Sequence, residues 1–311
     1  MNCASFEIKS LVLLARDWGK GANLQPACAK IKEEKVAELR IVRDLQPKRI
    51  VVKVGTSSLV LANGKLNLRA IGRLAYVLTD LCNHDYQVIL VSSGAMGAGR
   101  DMLHIKERPT EIPEQQALAA IGQSRLIGIY TREFAEYQQI VAQVLLTRDV
   151  IIFPESHCNV VNTLNAMLAK NIIPIINEND TVSIDELDHK TSFSDNDELS
   201  AIVAEITQAD LLIMLSDIDG LFTANPHKHA EAQLISQVPV IDDQILSYAS
   251  GRDSSFGTGG MTTKINAAQR ILKNQQQMVL ANGANPEIIY DILDGQEIGT
   301  LFSNSVASKK Q

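Results

Sequence analysis

From Arg49 onward, short apolar runs alternate with longer segments in which apolar residues recur every three or four positions. The short runs are typical of buried strands, and the spacing in the longer segments is typical of amphipathic helices. The predicted strands are Ile50–Gly55, Val88–Val91, Val141–Leu146, Ile172–Ile176, Leu211–Leu215 and Met278–Ala281. The predicted helices are Leu66–Asn83, Gln115–Tyr137, Cys158–Lys170, Asp197–Thr207 and Thr262–Asn274. This alternation predicts an α/β fold in which an open, mainly parallel sheet is sandwiched by helices, a three-layer αβα arrangement.

The N-terminal part of the chain does not share this alternation. Apolar residues three apart predict a helix over Lys30–Leu45, which Pro47 would end. We therefore expect residues 1–48 to form an accessory extension and residues 49–302 to form the main domain. Residues 303–311 are expected to be a tail.

Polar and small residues gather where four of the predicted strands end. These clusters are Gly55–Ser58, Ser92–Gly99, Asn177–Asp180 and Ser216-Asp217. Open parallel sheets bind ligands at the carboxyl ends of their strands, and core packing does not explain this distribution. We expect one long active-site cleft along this edge. The cluster Ser92–Gly99 is predicted to be a glycine-rich turn whose N–H groups hold a carboxylate or phosphate oxygen.

The stretch Phe256–Lys264 contains three glycines and leads into the last long predicted helix. A glycine-rich turn at a helix N-terminus presents free N–H groups and the positive end of the helix dipole, which favour an anion. Lys264 lies one turn into the helix, where its ammonium would reach the same anion. The stretch lacks the Gly-Lys-Ser/Thr of a Walker A loop. An ordinary loop before an amphipathic helix remains open as the alternative.

Lys53 stands in an apolar strand, where a lysine is rarely buried unless it is paired. It either points to solvent from an edge strand or reaches from the strand's end toward a phosphate. Asp195 or Asn196 is suited to cap the following helix, and Asp197 would then point into the cleft from the first turn. Two lysines, two glycine turns and a few carboxylates suit phosphoryl transfer, which depends on positioning and positive charge.

The overall composition narrows the class of protein. A net charge of −7 and an isoelectric point near 5.4 argue against a general nucleic-acid binder. The four cysteines are far apart, which indicates free thiols in a reducing compartment rather than a disulfide framework. The longest early apolar run, Leu11–Ala15, is too short for a membrane span or a signal peptide. We expect a cytoplasmic protein whose partners include neither a membrane nor a nucleic acid.

Six motifs succeed one another along the chain in a recognisable order. They are Val52–Ser57, Val91–Ala95, Pro174–Asp180, Asp195–Asp197, Leu215–Asp217 and Gly257–Lys264. In this order they resemble the amino-acid kinase family, over Arg49 to Phe302. The resemblance is strongest to the members that phosphorylate the γ-carboxylate of free glutamate in the first step of proline biosynthesis. It implies an N-terminal half that binds glutamate and a C-terminal half that binds ATP.

The resemblance also implies roles for individual residues. Lys53 and Lys264 would bracket the transferred phosphoryl group as catalytic residues, and Asp197 would orient both lysines. Glutamate would be held by Ser93, Asp180 and Asn196. ATP would be held by Lys53, Ser216, Asp217, Thr258, Gly259, Gly260, Met261, Thr262, Thr263 and Lys264. Mg²⁺ would arrive with ATP and would have no direct protein ligand.

Asp180 stands beside Asn177 and Asn179 in a cluster rich in hydrogen-bond acceptors. The ammonium of a free amino acid is costly to bury unless such acceptors meet it. Asp180 is therefore the expected partner of that ammonium. The alternative is that Asp180 only forms a turn, for which aspartate is common.

The resemblance further implies partners, and this chain departs from the family pattern in places. The implied partners are proline as feedback inhibitor and glutamyl-phosphate reductase as pathway partner, and a homo-oligomeric state is expected. The family usually has glycine where this chain has Ser194, and the segment Asp185–Phe193 is longer than usual. Both departures lie beside the expected glutamate site. The C-terminal PUA domain of many bacterial members is not expected in this chain.

Two other functions are compatible with the same motifs. One is a sister kinase that acts on acetylglutamate, aspartate, carbamate or UMP. The other is a non-catalytic regulator that binds a nucleotide on the same fold. The presence of Lys53, Asp197 and Lys264 together favours an active enzyme over the regulator.

Overall fold

The predicted sheet is present in the computed structural model, which describes residues 43–182, 195–226, 228–249 and 260–304. Its eight strands within these ranges are β1 (Arg49–Val54), β2 (Gln87–Ser92), β3 (Val141–Leu146), β4 (Ile173–Glu178), β5 (Leu211–Ser216), β6 (Gln237–Val238), β7 (Gln277–Asn282) and β8 (Thr300–Phe302). All six predicted strands are found, with ends displaced by at most two residues. The remaining two, β6 and β8, are too short to leave a periodic pattern in the sequence.

The strands are arranged in the order β3-β4-β2-β1-β5-β7-β8-β6. Neighbouring strands are parallel, apart from the antiparallel pair β7 and β8. The prediction of an open, mainly parallel sheet is therefore confirmed. Strand β1 is internal, with β2 on one side and β5 on the other. An edge position for Lys53 is thus excluded.

Ten helices connect these strands within the described residues. They are α1 (Thr56–Leu59), α2 (Leu68–Asn83), α3 (Ala95–Met102), α4 (Ile112–Ala135), α5 (Asp149–Ile152), α6 (Pro154–Leu168), α7 (Asn196–Ile206), α8 (Asp243–Ala249), α9 (Met261–Lys273) and α10 (Ile288–Leu293). One apolar cluster joins α2, α4 and α10 to one face of the sheet. A second cluster joins α6, α7 and α9 to the opposite face. Helices therefore cover both faces, as the continuous apolar strands require.

Alternation along β1 decides which helices Lys53 meets. Successive side chains of a strand point to opposite faces of its sheet. Ile50, Val52 and Val54 pack in the cluster that contains α2 and α4. Val51 packs in the cluster that contains α7 and α9. Lys53 shares the parity of Val51, so its side chain lies on the face covered by α7 and α9.

The prediction of a glycine-rich turn over Ser92–Gly99 is wrong from Ala95 onward, where the chain is helical. Gly94 has the left-handed φ of 95° that a side chain disfavours, and helix α3 begins at Ala95. The glycines in this segment concealed the helix, because glycine is a poor helix former. Strand β2 is thus succeeded by a short turn at Ser93-Gly94 and then by a helix N-terminus.

Helix α3 lies so close to α4 that their backbones are in contact at Gly122. A Cβ atom on Gly122 would come within 1.7 Å of the Ala95 carbonyl oxygen and 2.4 Å of the Gly99 nitrogen. Glycine at position 122 is therefore what allows α4 to approach the start of α3. Helix α4 consequently fixes the place where α3 and its preceding turn begin.

The described chain starts at Arg43, which is tied to the far edge of the sheet. Its guanidinium donates to the carbonyl oxygens of Ser236 at 2.6 Å and of Gly299 at 3.0 Å. Residues 43–45 are not helical, and the rest of the predicted helix Lys30–Leu45 lies outside the described residues. Leu45 packs in the core. Within the described ranges, none of the helices has the length and apolar character needed to span a membrane.

Candidate active site

The candidate active site lies where β1, β2, β4 and β5 end. Parallel strands place their carboxyl ends on one edge of the sheet, and the N-termini of α7 and α9 reach the same edge. Lys53 comes from β1 and Asp197 from the first turn of α7, while Lys264 comes from the first turn of α9. All three side chains are buried. The fold therefore brings together residues that are far apart in the sequence.

Asp197 is the centre of this arrangement. Its Oδ1 lies 2.5 Å from Lys53 Nζ, and its Oδ2 accepts a hydrogen bond of 3.0 Å from Lys264 Nζ. Thr263 Oγ1 donates to the same Oδ2 at 2.8 Å. We call Lys53, Asp197, Thr263 and Lys264 the Asp197 cluster. One carboxylate thus holds two ammonium groups at defined positions, and the cluster carries a net positive charge.

The local sequence explains why Asp197 sits at this point. Asp195 is the N-cap of α7, and its Oδ1 accepts from the backbone N–H groups of Asp197 at 2.8 Å and Glu198 at 3.1 Å. Of the two predicted caps, Asp195 rather than Asn196 fills this role. The cap starts the helix so that Asn196 and Asp197 occupy its first two positions. Both side chains then face the edge of the sheet.

The surroundings of Asp195 and Asp197 shift the pKa values of these two carboxyl groups in opposite directions. Burial alone would raise the pKa of Asp197, but the charges of Lys53 and Lys264 outweigh burial and lower that pKa. Burial raises the pKa of Asp195, and the negative charge of Asp197 raises it further. Asp197 is therefore the carboxylate that stays ionised and pairs with the lysines.

On the side of β2 and β4, four polar side chains form a continuous hydrogen-bonded series. Asn196 Nδ2 donates to Ser93 Oγ at 2.9 Å and to Asn177 Oδ1 at 3.1 Å. Asn177 Nδ2 donates to Gln123 Oε1 on α4 at 2.8 Å. We call Gln123, Asn177, Asn196 and Ser93 the amide chain. Since both bonds of Asn196 use its nitrogen, its carbonyl oxygen remains an acceptor for a further group.

Asp180 lies just after β4 and borders a cavity next to the amide chain. The cavity has a volume of about 290 Å³ and is lined by α4, β3 and the residues after β4. Gln123 of the amide chain also lines it. Asp180 and Asn196 are two of the three residues predicted to bind glutamate. Asp180 lines the cavity, and Asn196 is connected to the cavity through the amide chain, which ends at Gln123. Ser93 reaches the same region through its bond to Asn196.

On the side of β5 and α9, the residues predicted to hold ATP occupy two segments. Ser216 ends β5, is buried and donates to the exposed Asp217 at 3.1 Å. Gly260 precedes α9, whose first residues are Met261, Thr262 and Thr263. Thr258 and Gly259 lie outside the described residues. The Thr263 hydroxyl lies 2.8 Å from both Asp197 Oδ2 and the Gly260 carbonyl oxygen, and it has one hydrogen to share between these two acceptors. The contact of Thr263 with ATP stays a prediction.

Sequence reasoning missed three contributors to the site. Gln123 belongs to the amide chain, and the Tyr130 hydroxyl lies 2.9 Å from Ser92 Oγ at the end of β2. Both lie within the periodic pattern of α4, where nothing in the sequence distinguishes them from other helix residues. Arg148 forms an ion pair of 2.9 Å with Glu198 in the first turn of α7. Such contacts depend on which elements become neighbours, so one sequence carries no signal for them.

Known proteins resemble this chain closely in sequence. The family model described as the amino acid kinase family matches residues 48–282. Glutamate 5-kinase of Enterococcus faecalis is 59% identical over 257 residues, which cover 83% of this chain and 95% of that protein. Glutamate 5-kinase of Lactiplantibacillus plantarum is 54% identical over 264 residues, which cover 85% of this chain and 100% of that protein.

Solved structures of other kinases have a fold similar to that of this chain. Carbamate kinase from Giardia lamblia bound to AMP-PNP superposes with a TM-score of 0.58 at 15% identity, covering 83% of this chain and 99% of that chain. Isopentenyl phosphate kinase from T. acidophilum superposes with a TM-score of 0.56 at 17% identity, covering 82% and 99%. At such identities the likeness concerns the fold alone. Because the family model matches residues 48–282 and two relatives are more than 50% identical over most of the chain, this chain belongs to the amino acid kinase family.

Proposed function

We propose that this protein is an ATP-dependent kinase that phosphorylates the γ-carboxylate of L-glutamate and yields L-glutamyl 5-phosphate, the first step of proline biosynthesis. The observation that carries the proposal is the Asp197 cluster, in which one ionised carboxylate holds Lys53 and Lys264. Relatives that are 54–59% identical bear the name glutamate 5-kinase. Their match extends over both sides of the site.

The positive charge of the cluster suits phosphoryl transfer. Such a reaction needs in-line positioning and stabilisation of the negative charge on the phosphoryl oxygens. Bound ATP supplies the phosphoryl group, and its Mg²⁺ neutralises part of the phosphate charge. Lys53 and Lys264 supply two further positive charges in a site that is largely shielded from water. Asp197 keeps both ammonium groups in place and does not itself take up a proton, since its pKa is lowered.

The residues at the start of α9 suit a phosphate. Among the described residues, no atom of a non-adjacent residue lies within 4 Å of the place where a Cβ atom on Gly260 would stand. Gly260 precedes the N–H groups of the first helical turn and Lys264, an arrangement that favours anions. We assign Lys53, Gly260, Met261, Thr262, Thr263, Lys264, Ser216 and Asp217 to ATP, together with Thr258 and Gly259. Mg²⁺ is assigned to the phosphates of ATP, because proteins usually bind Mg²⁺ together with substrate phosphates.

The opposite side of the site suits a free amino acid. The carbonyl oxygen of Asn196 and the carboxylate of Asp180 are acceptors, and an ammonium group needs such acceptors when it leaves water. Ser93 Oγ already accepts from Asn196, so its own hydrogen is available for a carboxylate oxygen. We therefore assign Ser93, Asp180 and Asn196 to glutamate. An acetylated amino acid lacks the ammonium that this set of acceptors would meet.

The finer features of the pathway belong to the same proposal. Glutamyl phosphate is a reactive mixed anhydride, and we assign its consumption to glutamyl-phosphate reductase. Proline has a carboxylate and an ammonium on one carbon, as glutamate has, and we propose that it competes for the groups that hold glutamate. We also propose that the protein acts as a homo-oligomer.

A sister kinase on the same fold is the main competing function. Proteins with this fold include carbamate kinase, UMP kinase and isopentenyl phosphate kinase, so the fold alone does not select the acceptor. An ATP-dependent hydroxamate assay separates these functions, because hydroxylamine traps an acyl phosphate. The panel contains L-glutamate, N-acetyl-L-glutamate and L-aspartate, while turnover of carbamate and UMP is measured by release of ADP.

Hydroxamate formation with L-glutamate, at rates well above those with every other acceptor, is the expected result. Turnover of N-acetyl-L-glutamate at a matching rate would refute the assignment of free glutamate. A lack of turnover with every acceptor, combined with tight binding of ATP, would instead identify a non-catalytic regulator.

A further inference from the structure

Tyr130 is a tyrosine of α4 whose hydroxyl is bonded to the end of β2. Its side chain has no exposure to solvent, and its hydroxyl lies 2.9 Å from Ser92 Oγ. Ser92 Oγ donates in turn to the carbonyl oxygen of Ser93 at 3.1 Å. Because a serine hydroxyl has a single hydrogen, Tyr130 must be the donor to Ser92. The direction of both hydrogen bonds is therefore fixed.

Packing does not explain why position 130 has a hydroxyl. Phe134 lies one turn further along α4, is equally buried and has its ring centre 6.3 Å from that of Tyr130. The core at this point therefore accepts a plain aromatic ring. Burying a hydroxyl is unfavourable unless the group is hydrogen-bonded. Burial also raises the pKa of Tyr130, which keeps its hydroxyl protonated as a donor.

The bond from Ser92 to the Ser93 carbonyl oxygen controls a peptide group of the candidate site. A trans peptide carries its C=O and N–H in opposite directions. Fixing the Ser93 carbonyl therefore also fixes the direction of the Gly94 N–H. Gly94 has the left-handed φ of 95° that begins the turn into α3. Glycine allows a wider range of backbone angles than other residues, so a hydrogen bond to this peptide helps to hold one orientation.

Two faces of the sheet thus contribute to one turn. Asn196 on α7 holds the side chain of Ser93, while Tyr130 on α4 holds its backbone through Ser92. We propose that Tyr130 and Ser92 are positioning residues that orient the Ser93–Gly94 peptide for the acceptor carboxylate. This inference rests on the proposed function, since the acceptor is taken to be glutamate.

The test compares two tyrosine hydroxyls that are both hydrogen-bonded. Tyr130→Phe removes the donor to Ser92 and leaves the ring in the core. Tyr290→Phe is the matched control, because the Tyr290 hydroxyl donates to Asp80 at 2.9 Å between α10 and α2, and neither residue belongs to the proposed site. Tyr130→Phe is expected to raise the KM for glutamate about 3- to 10-fold, the usual effect of losing one neutral hydrogen bond. The KM for ATP should stay unchanged in both variants.

A second set of variants tests whether the two hydroxyls act as one unit. Ser92→Ala interrupts the series at its other member, so it should raise the KM for glutamate by a similar factor. The double variant should then be no worse than either single variant. If the two effects multiply instead, the hydroxyls act separately and the proposed series is refuted. Ser92→Ala also keeps the inference testable if Tyr130→Phe does not fold.

Hydrogen exchange provides a measurement that does not depend on the substrate. The backbone amides of residues 93–98 should exchange faster in Tyr130→Phe than in Tyr290→Phe. If the unaltered protein does not phosphorylate glutamate, the proposed function fails while this measurement still tests the hydrogen-bond series. Equal exchange rates, or equal values of the KM for glutamate in the two variants, would overturn the inference.

Discussion

Lys53 Nζ lies 2.5 Å from Asp197 Oδ1, and this ion pair joins an internal strand to the first turn of a helix. Both side chains are buried, so their attraction is screened less than that of a surface pair. Lysine is seldom buried without such a partner. The pair therefore accounts for a charged residue inside an otherwise apolar strand. It also places an ammonium group at the end of β1, where the proposed reaction occurs.

Removal of either lysine is expected to lower turnover strongly. Lys264→Met and Lys53→Met each remove one positive charge from the Asp197 cluster. Loss of one preorganised charge at a transition state typically lowers kcat by about 10²- to 10³-fold. Steady-state kinetics would measure the effect, with Lys65→Met as the control because Lys65 is exposed. Wild-type kcat in either cluster variant would show that its assigned role is wrong.

Asp180→Ala is expected to weaken the binding of glutamate far more than the binding of ATP. If Asp180 receives the ammonium, its removal deletes a charge-assisted hydrogen bond in a desolvated site. Such a bond contributes about 1.5–3 kcal/mol, or about 10- to 150-fold in apparent affinity. Kinetics with each substrate varied in turn would measure both KM values. A KM for glutamate that does not change, or an equal rise for ATP, would contradict this role for Asp180.

Asp197→Asn should reveal how stability depends on pH. The lowered pKa of Asp197 means that its ionised form stabilises the folded protein at any pH above about 3.9, the ordinary value for aspartate. This stabilisation is lost as the pH falls further, through the lowered pKa of the folded state. The variant also leaves two ammonium groups without their buried partner, at a cost of about 3–5 kcal/mol near neutral pH.

Urea denaturation of both proteins between pH 7 and pH 3 would test this expectation. The difference in the free energy of unfolding between wild type and Asp197→Asn should be largest at neutral pH and should narrow below about pH 4. A difference that stays constant down to pH 3 would show that ionisation of Asp197 does not stabilise the fold.

Substituting two glycines of α4 by alanine is expected to change the stability of the protein in opposite directions. Gly122→Ala would place a Cβ atom 1.7 Å from the Ala95 carbonyl oxygen, so α3 must move and the protein should lose about 1–3 kcal/mol. Gly128 is exposed with open space around it, and Gly128→Ala should gain up to about 1 kcal/mol from helix propensity. Denaturation measures both changes. Equal stabilisation by the two substitutions would rule out the close contact of α3 and α4.

Arg43 is expected to contribute to stability although it precedes the first strand. Its guanidinium donates to carbonyl oxygens near β6 and β8, so Arg43→Met should destabilise the protein by about 1.5–3 kcal/mol. Arg69→Met, at an exposed site on α2, is the control. A shortened chain that starts at Arg43 should keep this stability, and one that starts at Leu45 should lose it. Equal stability of these two chains would contradict the role of Arg43.

The strands and the long helices could be predicted because each leaves a pattern of its own along the chain. The strands near Val141 and Leu211 were found almost to the residue, since buried strands are short apolar runs. Helix α3 was missed because Gly94, Gly97 and Gly99 read as a turn. Helix α3 packs against α4 through Gly99, where a Cβ atom would lie 2.1 Å from the Leu118 carbonyl oxygen. From the sequence alone, such a packing glycine cannot be distinguished from a turn glycine.

The candidate site could be predicted only in part, for a similar reason. Lys53, Asp197 and Lys264 stood out because a charge in an apolar strand, a helix start and a glycine-rich stretch are local features. Gln123 and Tyr130 did not, since their hydrogen bonds to β4 and β2 arise only when α4 folds onto the sheet. Groups that act directly often carry a local signature, whereas groups that hold them in place rarely do.

Three residues of the single helix α4 contact the elements that surround the proposed glutamate site. Gly122 receives α3, Gln123 binds the end of β4, and Tyr130 binds the end of β2. A displacement of this helix therefore carries all of these anchoring points with it. During evolution, a new acceptor of different length cannot be accommodated by shifting one anchoring point alone. Descendants with altered substrate choice should instead carry linked substitutions along α4, so this helix is the first segment to randomise when engineering the acceptor preference.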